Sequence, residues 1–122
     1  MSTSVTTAKP KASRLAFGEM LAELGATDQN IVVLDADLAK STMSDLFAKK
    51  FPERFFEMGI AEQNLVGVAA GLAPSGKTAF CCSFACFVAG RFETIKISVA
   101  YSGANVKVVG THAGVGIGPD GY

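Results

Sequence analysis

The sequence predicts an α/β fold, a parallel sheet with helices on both faces. Short apolar or β-branched runs alternate along the chain with segments of about 8 to 13 residues whose apolar positions recur at helical spacing, the pattern of strands joined by crossover helices. The chain has 122 residues, 49% of them hydrophobic, with 11 Lys and Arg against 11 Asp and Glu. A single domain of that size buries roughly two thirds of the surface it exposes unfolded, so no disulfide scaffold or structural metal is needed.

Residues 1–12 form a polar, weakly basic tail without the apolar segment of a secretory signal, and the domain is expected over residues 13–122. Leu15, Met20, Leu21 and Leu24 lie on one face of a first helix, with Ser13 as its N-cap and Gly25 as its stop. Ile31–Leu34 follows as a buried strand with Asp35 and Asp37 at its carboxyl end. A helix from Ser44 to Lys50 stops at Pro52, and Phe55–Met58 is a second strand closed by Gly59. Residues 61–73 form a helix with Leu65, Val68, Ala69 and Leu72 inward. Gly67 and Gly71, four apart in it, predict the close approach of another backbone. Thr78–Cys82 is a third strand, Arg91–Ala100 a helix with Phe92, Ile95 and Val99 inward, and Val106–Val109 a fourth strand. The glycine-rich run to Gly121 and Tyr122 reads as a loop in mid-course, so the domain is expected to be incomplete at its carboxyl end.

Balanced charge argues against nucleic acid, because no basic excess exists to neutralise a phosphate backbone. The apolar stretch from Ala79 to Gly90, about 12 residues, is short of the about 20 that cross a membrane. Cys81, Cys82 and Cys86, an odd number without CxxC spacing, read as reduced thiols in the core of a cytoplasmic protein. Gly116-Ile-Gly118-Pro-Asp-Gly121 matches G-x-G-x-x-G, but no helix or following acidic residue completes a dinucleotide site. No Walker lysine, HExxH or G-x-S-x-G motif occurs, and a single histidine, His112, removes multi-histidine metal sites.

In open parallel sheets ligands bind beyond the carboxyl ends of the strands. The informative residues are therefore Asp35 and Asp37, Gly59 to Glu62, Ser83 to Phe87, and Thr111 to Gly121. On composition alone His112 reads as a loop hydrogen-bonder and Glu62 as an acidic residue complementing a helix dipole.

The run Arg54-Phe-Phe-Glu-Met-Gly-Ile-Ala-Glu62-Gln-Asn, then Ala69-Ala-Gly-Leu-Ala73, Ser83-Phe-Ala-Cys-Phe87, Thr111-His112-Ala-Gly and Gly118-Pro-Asp120-Gly121 resembles the pyrimidine-binding domain of transketolases. Val33-Leu-Asp-Ala-Asp37-Leu38 resembles that family's first strand and the acidic position after it. The resemblance spans nearly the whole chain and is nearest to split transketolases, whose carboxy-terminal half is a separate polypeptide. It implies the thiamine-diphosphate-binding fold, two-carbon ketol transfer between sugar phosphates and a place in the pentose phosphate pathway.

By the same resemblance, Glu62 bonds N1′ of the cofactor's aminopyrimidine and favours its imino tautomer, which requires a carboxyl that is not a free, fully solvated anion. Phe84 and Phe87 match aromatic positions around the pyrimidine ring. Asp37 and Leu38 match an interface position beside the cofactor. His112 matches a residue facing the reaction centre, and Asp120 one that reads a sugar hydroxyl. Gly90 stands where the family has a further aromatic residue, and the histidine expected after Tyr122 is missing. Diphosphate and Mg²⁺ belong, in the family, to another domain with a Gly-Asp-Gly motif absent here, which implies an N-terminal partner subunit. Pairing of two copies through the pyrimidine domain is implied as well. Two alternatives stay open: a 1-deoxyxylulose-5-phosphate synthase-like enzyme, which shares Gly-Ile-Ala-Glu-Gln but normally has His where Asn64 stands, and a non-catalytic α/β interaction module or fragment.

Overall fold

The computed structural model describes residues 9–115; Asp120 and the terminal glycine motif, both singled out in the sequence, lie outside them. Four parallel strands, β1 (Ile31–Asp35), β2 (Phe55–Glu57), β3 (Thr78–Phe84) and β4 (Val106–Thr111), form one sheet in the order β2-β1-β3-β4. Helices α1 (Ser13–Thr27), α2 (Ala39–Thr42) and α3 (Asp45–Lys50) precede β2, α4 (Glu62–Leu72) links β2 to β3, and α5 (Ala85–Ala89) and α6 (Phe92–Thr94) follow β3. A wider π-helical segment, Ile95–Tyr101, continues from α6. The α/β parallel fold read from the sequence is the one observed.

Each face has its own core. Val32, Leu34, Ala79 and Cys81 pack with Leu65, Val66 and Ala69 of α4 and with Val99. On the other face Ile31, Val33 and Cys82 pack with Leu21 of α1 and Phe47 of α3. The period of two along a strand explains the division, and it makes every residue of the central strand β1 buried. No helix among the described residues is long and apolar enough to cross a membrane.

Several local expectations are corrected. The N-cap of α1 is Ala12, with Ser13 already helical and no side-chain cap bond. Gly25 does not stop the helix: it lies inside α1 against Phe47, where an added Cβ would come within 2.4 Å of the ring. The inward face of α1 is Gly18, Leu21, Ala22 and Gly25, while Met20 and Leu24 are exposed, because the helix seats its two glycines on the α2–α3 segment. Phe92, expected inward, is 70% exposed, since the helix breaks into α6 and the π-helical turn and rotates that position out. Gly67 and Gly71 meet no other backbone among the described residues, as nothing there lies within 4 Å of a Cβ built at either. Cys86 is exposed, while Cys81 and Cys82 are buried as expected.

Arg54 ties the end of α1 to the start of β2. Its guanidinium donates to the carbonyls of Gly25 at 2.8 Å and Asp28 at 3.0 Å, and lies 4.2 Å from the centroid of the Phe51 ring. It thus satisfies a last-turn carbonyl that the helix leaves open, and adds a cation–π contact. Arg54→Ala is expected to lower unfolding free energy by about 2 kcal/mol, and Arg54→Lys to recover less than half, because an ammonium cannot reproduce the fork. Urea denaturation measures both, and a lysine variant as stable as wild type would refute the role of the fork.

Candidate functional site

The chain reverses its direction of sheet growth between β1 and β3. From β1 it passes to β2 on one side, then crosses over β1 to β3 on the other. Connections leave such a switch point on opposite faces, opening a crevice at the strand carboxyl ends. The residues bordering it are the β1–α2 loop and the β3–α5 junction.

The β1–α2 loop is held from beneath. Asp35, fully buried, accepts the Leu38 N–H at 2.7 Å and the hydroxyls of Thr42 and Ser44, each at 2.8 Å. Burial pushes its carboxyl up from the ordinary 3.8; the hydrogen bonds from Thr42, Leu38 and Ser44 pull against that, and the charge of Glu57 adds to it. Asp37 is exposed with φ 61°, and its N–H donates to Glu57 Oε1 at 2.7 Å. A non-glycine residue in the left-handed region is strained, and such strain concentrates at functional sites.

Alternation along β3 directs Phe84 to the α1–α3 side, with Phe80 and Cys82, and Ser83 to the α4 side, with Ala79 and Cys81. Phe84 is 9% exposed and Phe87 44%; the rings stack with centroids 5.8 Å apart and planes 10° apart. Phe84 also meets the His112 ring at 4.2 Å between centroids. His112, at φ 55°, bonds the Thr111 hydroxyl through Nδ1 at 2.8 Å and Arg14 Nη1 through Nε2 at 3.2 Å. A guanidinium only donates, so the network assigns Nε2 as acceptor and leaves the hydrogen on Nδ1. Arg14 also donates to the Ser41 carbonyl at 3.1 Å.

Glu62 opens α4. It is 7% exposed, and its carboxyl has no hydrogen-bond partner among the described residues. The turn before it is tight, the Ala61 N–H bonding the Gly59 carbonyl at 2.8 Å. Ser83 Oγ and Arg91 Nε are buried without a hydrogen-bond partner among the described residues.

The structure therefore joins Phe84, Phe87 and His112 in one aromatic group on the α1 side, and aligns Asp37 and Leu38 in the adjoining loop. Glu62 opens α4, which covers the face of the sheet toward which Ser83 points. Sequence reasoning missed Arg14, whose only signal was a basic residue in the first turn of α1, and Glu57, whose importance appears only when β2 pairs with β1. The unpartnered Glu62 carboxyl and the exposed Phe87 ring suit a flat, polar-edged ligand. No cluster able to hold a metal occurs among the described residues.

Fold and site define an open parallel α/β domain whose candidate site lies at a sheet switch point. The family model described as transketolase, pyrimidine binding domain, matches residues 9–122, and the chain belongs to that family. It is 55% identical over 112 residues to a putative transketolase C-terminal section of Methanocaldococcus jannaschii, covering 91% of this chain and 35% of that protein. It is 44% identical over 111 residues to human transketolase, covering 90% of this chain and 18% of that one. A solved structure described as a split gene transketolase, inactive beta4 tetramer, superposes with a TM-score of 0.74 at 57% identity, covering 82% of this chain and 33% of that one. The chain thus spans about a third or less of the length of these relatives.

A folded-state value raised above the unfolded one means that Asp35 favours the folded chain most at low pH, with that contribution lost as pH rises from about 3.8 through the raised value. The stability of wild type relative to Asp35→Asn should therefore fall over that window in urea titrations; a constant difference would contradict the buried-acid assignment. Burial also pushes the Cys81 thiol up to about 11 and Cys82 well up, the nearby charge of Asp35 adding to the latter. Native protein should accordingly alkylate rapidly at Cys86 alone, and denatured protein at all three cysteines, counted by mass spectrometry.

Proposed function

We propose that this chain supplies the aminopyrimidine-binding part of a transketolase, transferring a two-carbon ketol unit between sugar phosphates. The observation that carries this reading is Glu62: a residue 7% exposed, its carboxyl unpaired among the described residues, at the amino end of α4 in a chain of this family. Thiamine diphosphate supplies the electron sink for such a transfer. The residues fit it. Glu62 would share a proton with the pyrimidine N1′ in a site where little water competes. Phe87 offers an open ring for stacking, and Phe84 backs it. Asp37 and Leu38 would border the ring from the neighbouring loop.

His112 would face the reacting groups, its ring oriented by Thr111 and Arg14. The Arg14 guanidinium brings positive charge to this side and suits an anionic substrate. Asp120 would bind a substrate hydroxyl. The diphosphate and Mg²⁺ would be held by an N-terminal partner subunit, since the chain has no Gly-Asp-Gly motif. The open face of α4 at Gly67 and Gly71, and the exposure of Ile60, Phe92 and Tyr101, support pairing with a second copy. Buried thiols at Cys81 and Cys82 support a cytoplasmic setting.

The test combines the chain with an N-terminal transketolase subunit, thiamine diphosphate and Mg²⁺. Ketol transfer between sugar phosphates is expected, with Glu62→Gln losing at least about a hundredfold in kcat, near the loss typical of a displaced catalytic proton-transfer group. Normal turnover by Glu62→Gln would sink the assignment. Complex formation without transfer would favour an interaction module, and pyruvate-dependent condensation the synthase-like reading.

A further inference from the structure

We propose that Glu57 is a positioning residue that couples the two loops bordering the cofactor, one carboxylate oxygen fixing both Asp37 and Gly59. The proposal rests on the reading that Asp37, Leu38 and Glu62 border one bound thiamine diphosphate. Glu57 ends β2 and pairs in register with Asp35 on β1. Its Oε1 accepts the Asp37 N–H at 2.7 Å and the Gly59 N–H at 3.0 Å. Both donors belong to residues in the left-handed region, at φ 61° and φ 68°. Glycine adopts that conformation without penalty, whereas aspartate adopts it less readily and is favoured there by a bond that holds its N–H.

The two bonds reach opposite parts of the site. Asp37 precedes Leu38, whose own N–H is fixed by Asp35. Gly59 accepts from Ala61 in the tight turn that delivers Glu62 to the start of α4. Glu57 makes no ion pair among the described residues, so backbone amides are its partners rather than a cation. It is also exposed, and water can replace it as an acceptor when it is removed. Its removal should consequently disturb the spacing of the two loops far more than the stability of the sheet.

The experiment compares Glu57→Ala, Glu57→Asp and Glu57→Gln by two readouts. Amide hydrogen exchange on the chain itself reports the clamp directly. Glu57→Ala should speed exchange at Asp37 and Gly59 at least tenfold, leaving Val33 and Cys81 in the central strands unchanged. Titration calorimetry of the chain with its N-terminal partner subunit and Mg²⁺ reports thiamine diphosphate binding, which should weaken roughly tenfold, as losing two hydrogen bonds to an oxygen acceptor permits. Glu57→Gln keeps an oxygen acceptor at the same reach and should restore both readouts to within about twofold. Glu57→Asp withdraws that acceptor by one methylene and should behave like Glu57→Ala, carrying the test should the alanine variant fail to fold. Unchanged exchange at Asp37 and Gly59, or wild-type cofactor affinity in both shortened variants, would overturn the proposal. With Glu62→Gln assayed alongside, loss of turnover there but normal affinity in Glu57→Ala overturns the coupling alone. Normal turnover in Glu62→Gln overturns the cofactor reading and this proposal with it.

Discussion

A carboxylate without access to water ends the central strand, and much of the molecule is arranged around it. Withdrawing the charge of Asp35 from solvent costs several kcal/mol, which the fold offsets by converging three donors on one side chain. Those donors come from Leu38, Thr42 and Ser44, so the segment after β1 has little freedom to move. Met43 sits between two of them at φ 67°, and its carbonyl abuts Gly18 so closely that a Cβ there would come within 2.4 Å. The packing of α1 on the sheet therefore depends on that buried network. In turn α1 carries Arg14, which reaches His112 beyond β4. A single desolvated group thus links the first strand, the first helix and the end of the fourth strand.

The order of the strands does the rest. Because β2 and β3 flank β1 on opposite sides, α2 and α3 cover one face and α4 the other. Side chains near the strand ends are divided between those faces by the pleat. Phe84 and His112 belong with α1, whereas Ser83 and Glu62 belong with α4. A ligand lying across the carboxyl edge meets aromatic surface on one side and buried oxygen groups on the other. The edge strand β2 would be a loose boundary of that site, three residues long, were its last residue not hydrogen-bonded to the loops on either side.

Much of this was legible from residue order. The β-branched and apolar runs marked all four strands within two residues of their observed ends. The spacing of Leu65 and Ala69 marked the buried face of α4. The described candidate residues that the resemblance named lie at or just beyond the carboxyl ends of strands. Several of the errors concern which way a helix faces. Leu24 and Phe92 look like core residues by hydrophobicity, yet Gly18 and Gly25 occupy the inner face of α1, because a bare backbone fits against Met43 and Phe47 where a leucine does not.

The sequence by itself determined the alternation of strands and helices, the parallel sheet and the family, because periodicity and ordered motifs are properties of neighbouring residues along the chain. Only the tertiary structure decided that Asp35 is a buried anchor, that Arg14 orients His112, and that Glu57 spans two loops. Hydrogen bonds between residues 9, 20 and 98 positions apart form only when strand order and pleat bring their atoms within about 3 Å, and no local pattern encodes that proximity.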